Sequence, residues 1–206
     1  MKKDTPTLGG RADLEPFACY FSWQEYLAVD APAGARFEFE AGRLLVSPSG
    51  NTSHDLLIGV LLEFLGAYEI ATENGACVSF PPHSFFMPPE ERDYQPDVGI
   101  VTDERKDRPL EPRITGAPNI AIEVLSPSTE RRDRGVKADK YFEQGTAEYW
   151  LFSAEPLAAE FHRRGEQGWA RVAPATSRYE TPLLPGFVLD LAAVERRLAQ
   201  KLRRGR

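Results

Sequence analysis

Two acids stand inside apolar runs: Asp97 opens PDVGIV and Glu123 lies within NIAIEVL. A carboxylate among hydrophobic neighbours is costly unless a cation is held beside it, so the pair reads as a metal site. A period of two puts Ala121, Glu123 and Leu125 on one face of NIAIEVL and Ile120, Ile122 and Val124 on the other. If PDVGIV pairs with this strand, Asp97 and Glu123 point to one side. Two close carboxylates repel there unless a divalent cation or a proton lies between them. Hard oxygen donors favour Mg2+ or Mn2+, with the backbone carbonyl of Val124 and water completing the set. A lysine-bearing helix follows. Asp133, Lys137 and Tyr141 recur at four-residue spacing and share a face, with Lys140 beside it. A lysine held there would orient or deprotonate a metal-bound water and neutralise a phosphorane-like transition state.

These residues need elements to position them, and the punctuation of the chain supplies a list. Ser22 with Glu25 forms a capping-box pattern before a short helix. Arg36 to Val46 reads as a hairpin turning at Ala41-Gly42, with Glu38 on its first strand. Ser53 is placed to cap a helix over 54–68, in which Leu57, Leu61, Leu62 and Leu65 recur at helical spacing. Strand pieces are expected over 76–80 and 83–87, and the charged, proline-bearing stretch 102–117 reads as a surface connection. Asn119 to Leu125 is a strand, a helix runs over 130–144 with Gly145 past its end, and 148–153 is a strand again. Segments 159–163 and 169–173 flank a Gly-rich turn as a hairpin, and 191–206 is helical and basic. Hairpins mixed with one strand-helix-strand passage predict an α/β fold with a mixed sheet.

The chain of 206 residues, 42% hydrophobic, suits one domain over 19–192, preceded by an extension over 1–18 and followed by a basic helical tail over 193–206. No apolar run is long enough to span a bilayer and no signal peptide is evident, so a cytoplasmic, non-membrane protein is expected. Cys19 and Cys77 fit buried or partly buried thiols in a reducing cytoplasm. A formal charge of −6 argues against a general nucleic-acid coat, while leaving room for a metal ion that bridges to a phosphate.

The motifs PDVGIV, APNIAIEVLSPST, RRDRGVKADKY and EYWLF resemble the Uma-two family of bacterial proteins, a branch of the PD-(D/E)XK restriction-endonuclease-like superfamily. The resemblance extends upstream to FEFEAGRLLVSPS and His54 and downstream to LLPGFVLDL, covering about Trp23 to Leu191. It implies a restriction-endonuclease-like mixed β-sheet flanked by helices, with Asp97 as the PD aspartate and Glu123 as the second acid. The superfamily lysine is expected two residues after Glu123, where Leu125 stands. The pattern moves that role to Lys137 on the following helix, with Lys140 as the competitor. It also implies Glu38 as a third acid at the site.

Blander readings stand beside these. Asp97 could be a strand-start aspartate, Lys137 a solvated helix residue paired with Asp133, and Glu38 an exposed hairpin charge. His54 reads first as a capping or core-edge histidine, Arg131 and Arg132 as surface charges, and Tyr141 as packing. Ser126 and Ser128 read as turn residues, because no G-x-S-x-G elbow is present. The leading expectation is an endonuclease that hydrolyses DNA phosphodiester bonds with a metal-activated water, using Asp97, Glu123, Lys137 and Glu38. The alternatives are an inactive nuclease-fold protein that binds nucleic acid or a protein partner, and a homodimer joined through its aromatic strand surface.

Overall fold

The computed structural model describes residues 19–29, 36–47, 51–72, 77–87, 92–102, 113–174 and 176–204; the expected extension over 1–18, apart from its neighbour Cys19, and most of the connection after Thr102 lie outside them. Two six-stranded sheets carry the fold among these residues. The first runs β12 (Trp169–Val172), β11 (Leu157–Arg164), β10 (Glu148–Ala154), β9 (Ile120–Val124), β7 (Val98–Thr102), β4 (Cys77–Phe80). Its β9–β10 pair is parallel and its other pairings are antiparallel, as the strand-helix-strand passage requires. β7 and β9 are buried along their whole length, which explains why both read as apolar runs.

One face of this sheet is covered by α2 (Thr52–Ala71) and α5 (Leu191–Arg204). Leu57, Val60, Leu61 and Leu65 of α2 and Val194 and Leu198 of α5 pack on Ile120, Ile122, Val124, Trp150 and Phe152. The basic helix is thus docked on the core, and Arg197 and Lys201 bond Glu63 of α2 at 2.7 and 2.8 Å. α2 is capped by Asn51, whose side chain accepts the His54 amide at 2.9 Å, and not by Ser53. The earlier cap turns His54 into the first helical turn with its ring buried.

The second sheet lies over the opposite face, in the order β1 (Cys19–Tyr20), β3 (Arg43–Ser47), β2 (Arg36–Glu40), β6 (Arg92–Tyr94), β5 (Phe85–Met87), β8 (Ile114–Thr115). β2 and β3 form the expected hairpin; the two-residue loop holds Ala41 at φ 49° and Gly42 at φ 80°, the twist that a tight hairpin requires. Phe85, Met87, Tyr94 and Ile114 pack on Ala121, Tyr141, Tyr149 and Leu151. The connection read as surface therefore ends in a short strand that buries Ile114 and leaves Thr115 exposed. Gly99 sets how closely the sheets approach, because a Cβ there would meet the Phe85 ring at 2.4 and 2.5 Å. Tyr149, Trp150, Leu151 and Phe152 are all buried within the chain, so β10 offers no aromatic surface for a dimer.

The helix expected over 130–144 is interrupted. α3 (Glu130–Arg132) passes into a π-helical turn (Asp133–Lys137) and then α4 (Ala138–Glu143). A π turn widens the helix and shifts the side chains that follow. The Tyr149 hydroxyl donates to the Asp133 carbonyl at 2.9 Å, tying this turn to β10. Gly145, at φ 89°, follows the helix as expected.

Candidate active site

The antiparallel register of β7 and β9 pairs Val98 with Ile122. One step further along that register, Asp97 falls opposite Glu123. Residues directly opposite in an antiparallel pair project to the same face, so the shared side expected from the period of two is realised. Both carboxylates are buried. Asp97 Oδ2 accepts the Val124 amide at 2.6 Å and lies 3.2 Å from His54 Nε2, while Oδ1 is paired with Arg36 at the start of β2. The other ring nitrogen of His54 is 3.0 Å from Asp55 Oδ1.

Glu123 Oε1 meets Lys137 Nζ at 2.5 Å and the Tyr141 hydroxyl at 3.5 Å. The same ammonium lies 3.1 Å from Glu38 Oε1 and 3.8 Å from Asp133 Oδ1, so the π turn places Lys137 among three carboxylates. Glu38 Oε1 also accepts the Gln95 amide at 2.8 Å, and Oε2 pairs with Arg132, whose guanidinium lies 5.3 Å from the centre of the Tyr94 ring. Lys140 is not part of this group: its ammonium bonds Glu143 at 2.6 Å.

Burial acts on every acid here, and the local charges decide the outcome. Burial disfavours the Asp97 carboxylate, but the His54 hydrogen bond and the Arg36 charge outweigh it, and Asp97 titrates below its ordinary range. Glu38 is likewise desolvated, yet Arg132 and Lys137 hold it at about 2. Glu123 goes the other way. Burial, reinforced by Asp133, Asp97 and Glu38, exceeds what Lys137 relieves, and its pKa lies well above the usual value. Burial also raises Asp133. Lys137 is buried, but Glu123, Glu38 and Asp133 overcome that cost and keep it cationic, with a raised pKa. His54 is raised too, because Asp97 and Asp55 outweigh its burial.

The cluster opens into a cavity of about 230 Å³ whose wall includes Arg36, Glu38, His54, Asp97, Glu123, Arg132 and Lys137. Its rim carries Ser126 and Ser128, whose hydroxyls lie 3.0 Å apart, as befits turn residues. The expected Asp97, Glu123, Lys137 and Glu38 are all brought together. Three contributors were underweighted by the sequence. Arg36 shares a face with Glu38 two residues away on one strand, a signal that period-two reading supplies. His54, which the sequence places as a capping or core-edge histidine, is buried and lies between the carboxylates of Asp97 and Asp55. Arg132 was read as a surface charge; only the packing of the interrupted helix under β2 brings it to Glu38.

The donor set suits a hard divalent ion. The Leu125 amide bonds the Phe152 carbonyl of β10. Because successive residues of a strand bond to opposite sides, the Val124 amide and carbonyl face the β7 side, where its amide already holds Asp97. Two carboxylates and one backbone carbonyl then face the same edge. Among the described residues no three His, Cys, Asp or Glu side chains gather at metal-holding spacing. Water must complete such a set, as is usual for Mg2+.

Two layers of mixed sheet and helices, with paired carboxylates at the edge of the central strands, define the class first: this is a restriction-endonuclease-like α/β fold. Residues 23–192 match the Uma2 family, described as "Putative restriction endonuclease", and the chain belongs to that family. A solved structure titled as "a putative nuclease belonging to DUF820" from Anabaena variabilis is similar in fold, with a TM-score of 0.70 at 15% identity over 86% of this chain and 99% of that one. No curated protein matches the chain significantly. No helix among the described residues is long and apolar enough to cross a membrane.

Proposed function

We propose that the protein is an endonuclease that hydrolyses DNA phosphodiester bonds with Mg2+ or Mn2+ held by Asp97, Glu123 and the Val124 carbonyl. The observation that carries this reading is the convergence of Asp97 and Glu123 on one cavity with Lys137 2.5 Å from Glu123. When bound, the ion supplies a lowered pKa for water and positive charge for the phosphate. The chain supplies the rest. The Val124 amide and His54 fix the rotamer of Asp97. Lys137 pairs with Glu123 and would offer its positive charge to a bound phosphate; three neighbouring carboxylates make it an orienting ammonium and not a proton acceptor. Glu38 anchors Lys137 and Arg132 at once.

A cleavage assay on linear, nicked and supercoiled DNA with Mg2+ or Mn2+ tests the assignment. Asp97→Ala and Glu123→Gln should each lower the rate by at least about a hundredfold. Full activity in either variant refutes it. One observation favours the alternative of a non-cleaving nuclease-fold binder: Arg36, Arg132 and Lys137 already neutralise the acids without any ion. Calorimetric titration with Mn2+ separates the two, since a non-cleaving protein of this kind would take up no ion at Asp97.

A further inference from the structure

We propose that Arg36 is an exchangeable counter-ion, which neutralises Asp97 in the ion-free site and passes to a phosphate of the nucleic acid when a divalent ion takes its place. The inference rests on the reading of Asp97 as an ion ligand.

The two oxygens of Asp97 are not equivalent. Oδ2 is held by the Val124 amide at 2.6 Å and by His54 at 3.2 Å, both on elements packed into the core. Oδ1 carries Arg36. An incoming cation therefore competes with Arg36 and with no backbone group. Two cations of the cavity wall, Lys137 and Arg36, are not equivalent either. Lys137 is only 4% exposed and touches three carboxylates, so its departure would strand buried negative charge. The Arg36 side chain is 22% exposed, lines the cavity and has Asp97 as its ion-pair partner. Once a divalent ion neutralises Asp97, its guanidinium can leave without uncovering a charge. Glu38, Asp97, Glu123 and Asp133 already face Arg36, Arg132, Lys137 and His54 across this cavity. A divalent ion adds positive charge beside Lys137 and Arg132, and a phosphate anion offsets it. The planar guanidinium matches two phosphate oxygens. Ion and nucleic acid should then bind cooperatively, with Arg36 as the coupling group.

Calorimetry with Mn2+ on wild type, Arg36→Gln and Asp97→Asn tests the exchange, together with binding of a fluorescent DNA duplex in the presence of Ca2+. Arg36→Gln should bind Mn2+ about tenfold more tightly than wild type and the duplex about tenfold more weakly. Unchanged or weaker Mn2+ binding in this variant, or unchanged duplex binding, overturns the proposal while leaving the ion site intact. Mn2+ binding that is absent from wild type, or indifferent to Asp97→Asn, overturns both the proposal and the reading beneath it. Should Arg36→Gln fail to fold, the wild-type protein labelled with 15N-arginine still decides the matter. The Arg36 Nε resonance, assigned with Arg36→Lys, should shift on titration with Mg2+, and a resonance that stays in place overturns the exchange.

Discussion

Two glutamates of the central sheet are equally inaccessible, Glu148 at 2% and Glu123 at 3% exposure, and they have opposite surroundings. Glu148 opens β10 on the α2 face. Its Oε2 accepts the Trp150 indole and the Tyr179 hydroxyl, each at 2.8 Å, and its Oε1 accepts Thr181 at 2.8 Å and Arg163 at 3.0 Å. Three neutral donors and one cation satisfy one charge. Glu123, on the other face near the far end of β9, shares a single ammonium with two further acids and borders a cavity. The difference teaches that burial alone does not mark a functional acid. A carboxylate saturated with neutral donors is a structural anchor, whereas one left to compete for charge is poised to receive a cation.

Deleting the anchor should have the largest effect. Glu148→Ala leaves the buried Trp150, Tyr179 and Thr181 donors without this acceptor and removes the partner of the part-exposed Arg163, and should cost about 3–5 kcal/mol in chemical denaturation; a loss below 1 kcal/mol would collapse the contrast. Next is Glu38, whose folded pKa of about 2 lies below its ordinary 4.5. A depressed acid pKa stabilises the fold above the unfolded value, and that contribution disappears as pH falls through the folded value. Wild type should therefore exceed Glu38→Gln by up to about 3 kcal/mol at neutral pH. The gap should shrink below pH 4.5 and close near pH 2. Denaturation curves across that range would show a constant gap if Glu38 contributed only packing.

Gly99→Ala probes the seam between the sheets that positions the site. Its Cβ must push the Phe85 ring, so an overpacking loss of about 1–3 kcal/mol is expected, read as a lowered melting temperature. Glu123→Gln should show the smallest stability effect and sharpen the comparison most. Its carboxylate has a raised pKa, so a neutral isostere should change stability by no more than about 1 kcal/mol, in either direction. A loss as large as that of Glu148→Ala would make Glu123 a second anchor.

Local residue pattern carried much of the site. The period of two in NIAIEVL, the i, i+4 spacing of Asp133 and Lys137 and the Ala41-Gly42 turn beneath Glu38 were readable, because strand alternation, helical pitch and hairpin twist are properties of a few adjacent residues. Ser53 was displaced as the cap by Asn51, since either side chain can serve and only the backbone path chooses. Arg132 and His54 escaped because their partners are distant in the chain: Glu38 lies 94 residues from Arg132, and Asp97 lies 43 positions beyond His54.

By itself the sequence determined the alternation that sets Glu123 apart from Ile122 and Val124, the i, i+4 relation of Asp133 and Lys137, and a mixed α/β architecture; the shared face of Asp97 and Glu123 depended on strand pairing, and Lys137 and Lys140 both stood open. Only the tertiary structure decided which cation meets which carboxylate. It seated Arg36 on Asp97, Arg132 on Glu38 and Lys137 among three acids, and left Lys140 on Glu143. The physical reason is that local pattern fixes the direction of a side chain, while Coulomb energy and desolvation depend on distances between elements that only folding brings together.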